Sequence, residues 1–112
     1  MKNLIIVTGG AGFVGTNLIR LLLIKTKKKI ISYDNYSSGS KKNHINNKRV
    51  KYIKGDTIEF VKKISSFKNK VHSIFHFGEF ARIYQSFKKF DICFKSNSLG
   101  TNAVFKFCLE NN

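Results

Sequence analysis

The sequence predicts an α/β fold built around a parallel β-sheet, and three observations support this prediction. Short apolar runs alternate with longer runs of helical periodicity, which is the pattern of β-α-β units. A cluster of glycines stands where the first strand-like run meets the first helix-like run. Of the 112 residues, 42% are hydrophobic, so the chain can bury a core, and its length suits one domain.

The first half of the chain predicts two strands around one helix. The apolar run Asn3–Thr8 ends at glycines and is predicted to be a strand. Apolar residues then recur at intervals of three and four over Phe13–Lys27, and lysines close this run, as suits a helix C-terminus. Lys29–Tyr33 is predicted to be the second strand, and the polar stretch Asn35–Asn47 a loop.

The second half continues the alternation. Val50–Lys54 predicts a third strand and Ile58–Phe67 an amphipathic helix. Val71–Phe77 predicts a fourth strand, Arg82–Phe90 a loop or short helix, and Asp91–Leu109 a last helix. No repeat or linker divides the chain.

The charge balance is strongly basic, with 21 Lys and Arg against 6 Asp and Glu and a net charge of +15. This charge would suit a polyanion such as nucleic acid. The lysines are spread along the chain, however, and the abundant residue types all have A/T-rich codons, so genome composition explains the charge as well. The longest apolar run, Leu21–Ile24, is too short to cross a bilayer, and Met1–Val7 is too short for a signal peptide. We therefore expect a cytoplasmic protein.

Cys93 and Cys108 are the only cysteines, and both fall in the last predicted helix. Fifteen residues of helix separate two Cα atoms by about 22 Å, too far for a disulfide. We expect two reduced, mostly buried thiols in a reducing compartment. His44, His72 and His76 show no metal-ligand spacing with these cysteines, so we expect no metal site.

The motif with chemical content is the glycine set Gly9, Gly12 and Gly15 between the first strand and the first helix. Glycines at such a turn allow a sharp reversal and let the backbone approach a pyrophosphate. The unpaired N–H groups at the helix start then face the phosphates. Asp34 follows Gly15 by 19 residues, where a carboxylate can accept hydrogen bonds from a ribose diol. A carboxylate there repels a 2′-phosphate, which favours NAD over NADP.

Five segments in chain order give the sequence a resemblance to a known family. They are TGGAGFVG, DNYSSG, Gly55-Asp56, HFGEFARIYQS and NSLGT. In this order they resemble the N-terminal half of an extended short-chain dehydrogenase/reductase, of the NAD-dependent sugar-nucleotide epimerase/dehydratase family whose best-known type is UDP-glucose 4-epimerase. The resemblance implies a Rossmann-type parallel sheet of order 3-2-1-4 with helices on both faces, truncated before the fifth strand. It also implies NAD as the cofactor.

The same resemblance implies which residues hold that cofactor. The glycine turn and helix start would face the pyrophosphate, and the acidic loop would face the adenosine ribose. The residues after the third strand would lie by the adenine, those after the fourth strand by the centre of the cofactor, and the NSLGT asparagine near the nicotinamide. In that order they are Gly9, Gly12, Phe13, Val14 and Gly15; Asp34, Asn35, Tyr36, Ser37, Ser38 and Gly39; Asp56 and Thr57; Phe77, Gly78, Glu79, Phe80 and Ala81; and Asn97.

The family's catalytic residues, a Ser or Thr after the fifth strand and a Tyr-x-x-x-Lys pair on the next helix, have no counterpart. Tyr84 and Lys88 have the spacing of the pair but precede the place of a fifth strand, so we take the spacing as coincidence. We expect residues 1–112 to be a partial dinucleotide-binding domain without its C-terminal substrate domain, inert alone. The residues that choose the sugar would lie in that second domain, and epimerases and dehydratases of the family share this cofactor-binding half.

The fourth strand is interior in the family, so here its far side would be a bare apolar edge. We expect the chain to self-associate or to need a second polypeptide. The last helix adds apolar side chains that we expect to be uncovered, namely Phe94, Val104, Phe105, Phe107 and Leu109. The alternatives are a free-standing NAD-sensing module and, less favoured, a basic nucleic-acid-binding protein.

Overall fold

The computed structural model describes residues 2–78 and 99–111, and its strands form one parallel sheet. The strands are β1 (Leu4–Thr8), β2 (Lys29–Asp34), β3 (Val50–Lys54) and β4 (Val71–His76). Their order is β3-β2-β1-β4, and every neighbouring pair is parallel. The predicted Rossmann-type order is therefore confirmed, with strand ends within one residue of the expected ones.

Helices cover both faces of this sheet. They are α1 (Phe13–Lys25), α2 (Phe60–Ile64) and α3 (Thr101–Asn111). The β2–β3 crossover, predicted as a loop, contains only the short 3-10 turn Lys41–Asn43. No helix in the described part of the chain is long and apolar enough to cross a membrane.

The alternation of side chains along each strand produces two apolar layers. On one face, strand residues pack against α1; the buried members are Ile5, Val7, Ile19, Leu22 and Ile30. On the other face, strand residues pack against α2 and α3; the buried members are Leu4, Ile6, Ile31, Tyr33, Phe60, Ile64, Val71, Val104 and Phe107. The Phe60 ring lies edge-on to both Tyr33 and Phe107, with centroid separations of 5.0 and 5.4 Å. These layers hold the carboxyl ends of the strands rigidly side by side.

Helix α1 ends at Lys25, two residues before the predicted end at Lys27. Thr26 is extended, and both its N–H and its hydroxyl donate to the Leu22 carbonyl. The guanidinium of Arg49 donates to the carbonyls of Leu23 at 2.6 Å and Thr26 at 2.8 Å. These donors satisfy the carbonyls at the helix end, where the dipole also favours a cation, so no C-terminal glycine is needed.

The predicted amphipathic helix Ile58–Phe67 is helical over its length, but it is not a single α-helix. Only Phe60–Ile64 is α-helical, between the 3-10 turns Thr57–Glu59 and Ser65–Phe67. The Ser65 hydroxyl donates to the Lys62 carbonyl at 3.0 Å. A serine bonded in this way competes with the regular helical ladder, which is consistent with the early end of α2.

Helix α3 corrects two expectations about the last predicted helix. Val104 and Phe107 are buried against the sheet, so the expectation that they add uncovered apolar surface was wrong, whereas Phe105 and Leu109 are exposed as expected. Cys108 is also exposed, against the expectation of a buried thiol. Cys108 follows Val104 by four residues and so lies at the edge of the face that carries the buried Val104, Phe107 and Asn111, where it stays exposed.

Several sequence expectations lie outside the described residues. They concern the loop or short helix Arg82–Phe90, the beginning of the helix Asp91–Leu109, and the side chains of Phe94 and Cys93. Tyr84 and Lys88 also lie there.

Candidate functional site

The glycine turn, residues Gly9 to Gly15, leads from β1 into α1 at the carboxyl edge of the sheet. Gly9 has φ +72°, and a Cβ there would lie 2.8 Å from the carbonyl carbon and oxygen of Phe77. A Cβ on Gly15 would overlap the Gly9 carbonyl oxygen. Only glycine fits these two positions, because the first needs the left-handed region and both meet backbone atoms.

The start of α1 presents backbone donors. Gly12 is the N-cap, and no side chain hydrogen-bonds there as a cap. The first-turn N–H groups of a helix have no partners within the helix, and the dipole makes that end electropositive. Phe13 and Val14 are 82% and 56% exposed at this start. This end of α1 is therefore suited to an anion such as a phosphate.

Asp34, the last residue of β2, is buried, and both carboxylate oxygens are engaged. Oδ2 accepts a hydrogen bond from the Ala11 N–H at 3.0 Å, and Oδ1 accepts one from the Tyr36 N–H at 2.8 Å. A carboxylate offers about four lone-pair sites, so each oxygen keeps room for a further donor. Asp34 thus ties the glycine turn to β2 and can still accept hydrogen bonds from hydroxyl groups.

The β2–β3 crossover, residues Asn35 to Arg49, is fastened to the glycine turn. The Ala11 carbonyl accepts the Ser40 N–H at 3.1 Å and the Asn43 side-chain N–H at 2.7 Å. A Cβ on Gly39 would lie 2.7 Å from Asp34 Oδ2 and 3.0 Å from Ala11. The crossover therefore closes tightly over the acidic residue.

Tyr36 faces a ring cluster within the crossover and β3. Its φ is +64°, and its hydroxyl lies 2.7 Å from His44 Nε2. The His44 ring stacks on Tyr52 at a centroid distance of 3.7 Å, and the Tyr52 hydroxyl accepts the Ile45 N–H at 2.8 Å. Burial, followed by the charge of Asp34, raises the pKa of the Tyr36 hydroxyl. These contacts hold the crossover from its outer side.

Below the crossover, Tyr33 supports the chain after β3. Its hydroxyl donates to the Asp56 carbonyl at 2.5 Å, and a Cβ on Gly55 would overlap that hydroxyl. Burial, and then the nearby charges of Glu59 and Asp56, raise the pKa of Tyr33. Asn35 donates its side-chain N–H to Asp56 Oδ1 at 2.9 Å, which joins the two strand ends.

Together these segments form a groove at the carboxyl edge of the sheet. Its lining is Gly9, Gly12, Tyr33, Asp34, Asn35, Ser37, Ser38, Gly39, Gly55, Thr57, Phe77 and Gly78. Five of these twelve residues are glycines, so the walls consist largely of backbone that a ligand can approach closely. This lining fits a dinucleotide, with the helix start for its phosphates and the Asp34 carboxylate for a ribose.

Most of the predicted site residues surround this groove, and the rest divide into three groups. Gly15 packs beneath the turn, and Phe13 and Val14 are at the helix start beside it. Tyr36 contacts His44, and Asp56 lines an adjoining groove with Asn35, Gly55, Glu59, Lys54 and Lys63. Glu79, Phe80, Ala81 and Asn97 lie outside the described residues.

Two lining residues, Tyr33 and Gly55, were missing from the predicted site. The Gly55-Asp56 pair was part of the resemblance, and its position at the end of β3 was a usable signal. Tyr33 gave no such signal, because nothing in the sequence separates a core tyrosine from one whose ring edge reaches a groove.

A family model described as the 3-beta hydroxysteroid dehydrogenase/isomerase family matches residues 6–112. The chain belongs to this family. The resemblance to the NAD-dependent epimerase/dehydratase type, stated from the five sequence segments, is thereby confirmed.

Some curated relatives of the chain are named epimerases, and others are named UDP-glucuronic acid decarboxylases. The chain is 29% identical over 104 residues to the UDP-glucose 4-epimerase of Haemophilus influenzae, covering 87% of the chain and 30% of the relative. It is 32% identical over 110 residues to the ADP-L-glycero-D-manno-heptose-6-epimerase of Brachyspira hyodysenteriae, covering 96% of the chain and 34% of the relative. The chain thus spans about a third of the length of these relatives.

A solved structure shares the fold. The Thermus thermophilus UDP-glucose 4-epimerase, in complex with NAD, superposes with a TM-score of 0.82 at 24% identity, over 96% of this chain and 34% of that one. The comparisons support neither the free-standing sensor nor the nucleic-acid binder. Within residues 2–78 and 99–111, no three His, Cys, Asp or Glu side chains come together as a metal site requires.

Proposed function

We propose that residues 1–112 are the NAD-binding portion of a sugar-nucleotide epimerase or dehydratase, a partial dinucleotide-binding domain. The observation that carries this proposal is the groove in which the Ala11 N–H of the glycine turn donates to the Asp34 carboxylate, so that the phosphate-facing turn and the acidic residue lie side by side. Structures of the same fold crystallised with NAD support it.

Different residues of the site hold different parts of the dinucleotide. The α1 start, with the N–H groups of Phe13 and Val14, binds the pyrophosphate. Asp34 accepts hydrogen bonds from the hydroxyls of the adenosine ribose, and its charge repels the 2′-phosphate of NADP. Asp56 and Thr57 border the adenine, and Phe77 and Gly78 border the middle of the cofactor. When bound, NAD supplies a hydride acceptor at its nicotinamide.

We propose further that the natural substrate is a nucleotide sugar and that this chain alone does not turn it over. The names of the relatives support the substrate class. The sequence contains no Tyr-x-x-x-Lys pair other than Tyr84 and Lys88, and that pair precedes the place of a fifth strand, after which the family's pair stands.

Calorimetric titration of the chain with NAD, and in parallel with NADP, tests the cofactor proposal. We expect NAD to bind with one-to-one stoichiometry and NADP to bind more weakly. The variant Asp34→Ala should lose the preference for NAD over NADP. A folded chain that gives no heat with millimolar NAD would refute it. Assay of the NAD-loaded chain with UDP-glucose tests inertness, and any turnover would contradict that part.

We also propose that a second polypeptide, or a second copy, covers the outer edge of β4. Within the described residues β1 is the one strand that pairs with β4, and β4 carries Ile74 and Phe75. An unpaired apolar edge templates association. Sedimentation velocity should show oligomers, and a stable monomer at tens of micromolar would count against this proposal.

A cytoplasmic location is a proposal as well. The free thiol of Cys108 supports a reducing compartment. Mass spectrometry on protein isolated with thiols blocked should find Cys108 alkylated, and finding it in a disulfide would overturn the proposal.

A further inference from the structure

Thr8 and His76 lie side by side where β1 and β4 end. They are register partners in the parallel pair, and Thr8 Oγ1 lies 2.6 Å from His76 Nδ1. Thr8 is fully buried. Strand alternation puts both side chains on the face that also carries Ile6 and Ile74, which α2 and α3 cover.

The other ring nitrogen of His76 reaches α3. His76 Nε2 lies 3.0 Å from the hydroxyl of Thr101, the first residue of that helix. A neutral imidazole has one donor and one acceptor nitrogen, and each threonine hydroxyl can both donate and accept. The ring therefore bridges the two hydroxyls with a hydrogen bond on each side.

Thr8 links His76 to the groove. Its hydroxyl oxygen accepts the N–H of Gly78 at 3.0 Å, and Gly78 lines the groove. The next residue, Gly9, begins the glycine turn, and the Phe77 carbonyl fills the space where its Cβ would be. The separation of these two walls thus depends on the contact between Thr8 and its neighbours on β4.

We propose that His76 is a positioning residue for the cofactor: by joining Thr8 to Thr101, it holds Gly78 at the distance from the glycine turn that the dinucleotide requires. His76 is not among the residues that line the groove, so it acts through Thr8. The inference rests on the proposed NAD binding.

The test compares NAD affinity across four variants, measured by calorimetry well below their unfolding midpoints. His76→Leu keeps the volume and removes both bonds. His76→Asn keeps a polar atom near Nδ1, and His76→Gln keeps one near Nε2. His72→Leu is the matched control, because His72 lies on the same strand with an exposed side chain. We expect His76→Leu to raise the Kd for NAD about tenfold, His72→Leu to leave it unchanged, and Asn or Gln to restore part of the loss.

Equal affinity in His76→Leu and His72→Leu would overturn the proposal. A loss of NAD affinity that neither His76→Asn nor His76→Gln restores would also overturn it, because packing rather than hydrogen bonding would then be responsible. If His76→Leu does not fold, Thr101→Val takes its place. It removes the bond to His76 Nε2 and keeps the one between Thr8 and His76. We expect about a threefold weaker Kd for NAD, and wild-type affinity would refute the inference.

A second readout separates this inference from the NAD proposal itself. If the wild-type chain gives no heat with NAD, NAD binding fails, but the role of His76 in holding Gly78 is still measurable. Amide exchange of Gly78, followed by NMR without cofactor, should be faster in His76→Leu than in His72→Leu. Equal exchange would overturn the positioning role.

Discussion

The glycine turn and the β2–β3 crossover border the same groove, but different forces hold them. Besides its bond to Asp34, the turn is held by backbone contacts, with the Gly12 N–H donating to the Gly9 carbonyl at 3.1 Å and no space left for a Cβ on Gly9 or Gly15. Besides the backbone bond from Ser40 to Ala11, the crossover is held by side chains, among them Asn43 and the ring cluster of Tyr36, His44 and Tyr52. A substitution that adds atoms should therefore destabilise the glycine turn, whereas the crossover should tolerate the loss of a single contact.

The largest effect should come from Gly15→Ala. The new methyl group would overlap the Gly9 carbonyl oxygen, so we expect the free energy of unfolding to fall by about 3 kcal/mol and NAD binding to be lost. This loss would occur although alanine is the better helix former. Urea unfolding followed by circular dichroism measures the change.

Gly12→Ala is the matched control for that variant. Its Cβ would be 3.4 Å from the same oxygen, an ordinary contact, and its φ of −84° suits any residue. We expect a loss of about 1 kcal/mol or less, since alanine is a poorer N-cap than glycine. NAD affinity should still fall, because Gly12 lines the groove. Equal stability losses at positions 12 and 15 would contradict the distinction.

Asp34→Ala should have the next largest effect, because Asp34 joins the two regions. It leaves the Ala11 and Tyr36 N–H groups without their acceptor, so we expect a loss of about 2 kcal/mol in unfolding free energy. Asp34→Asn keeps one acceptor oxygen and should lose less. A stability equal to wild type in Asp34→Ala would mean that the carboxylate does not hold the turn.

Tyr33→Phe tests a side-chain hydrogen bond that supports the groove from below. It removes the hydrogen bond to the Asp56 carbonyl and should cost about 1 kcal/mol at neutral pH. The folded protein raises the pKa of Tyr33 above its ordinary 10.0, so above pH 10 the unfolded chain releases this proton first. Stability then falls by about 1.4 kcal/mol per pH unit from this group.

Comparison of the two proteins separates the alkaline loss due to Tyr33 from that of other groups. The lysines and the other tyrosines, including Tyr36, titrate in both proteins, so the difference between wild type and Tyr33→Phe isolates Tyr33. We expect the gap in unfolding free energy between them to narrow between pH 10 and pH 11. A constant gap would show that burial does not hold the hydroxyl neutral.

The smallest effect should come from Tyr36→Phe. The bond to His44 is exposed, and the crossover keeps its other fastenings, so we expect a loss of about 0.5 kcal/mol. NAD affinity should stay within about twofold, because Tyr36 is not part of the groove lining. A large loss of affinity would mean that Tyr36 contacts the cofactor after all. Thermal unfolding and calorimetry measure the two quantities.

Much of the fold was predictable from the chain because its signals are local. The four strands, the glycine turn and Asp34 follow from runs and spacings within about 20 residues, and their positions were confirmed. The α-helical part of the predicted helix Ile58–Phe67 is shorter than expected, and Ser65 makes a local hydrogen bond there that apolar periodicity does not reveal. Cys108 was assigned to the interior because cysteine is usually buried, whereas the orientation of α3 turns it outward.

The sequence by itself determined the parallel sheet, the glycine turn at its edge and the acidic residue at the end of β2. Each depends on local backbone preference or on the alternation of apolar residues. Only the tertiary structure decided that Asp34 bonds the Ala11 N–H, that Arg49 completes the end of α1, and that His76 bridges Thr8 and Thr101. These contacts join residues 23 to 68 positions apart, and strand register and helix docking bring them within hydrogen-bonding distance.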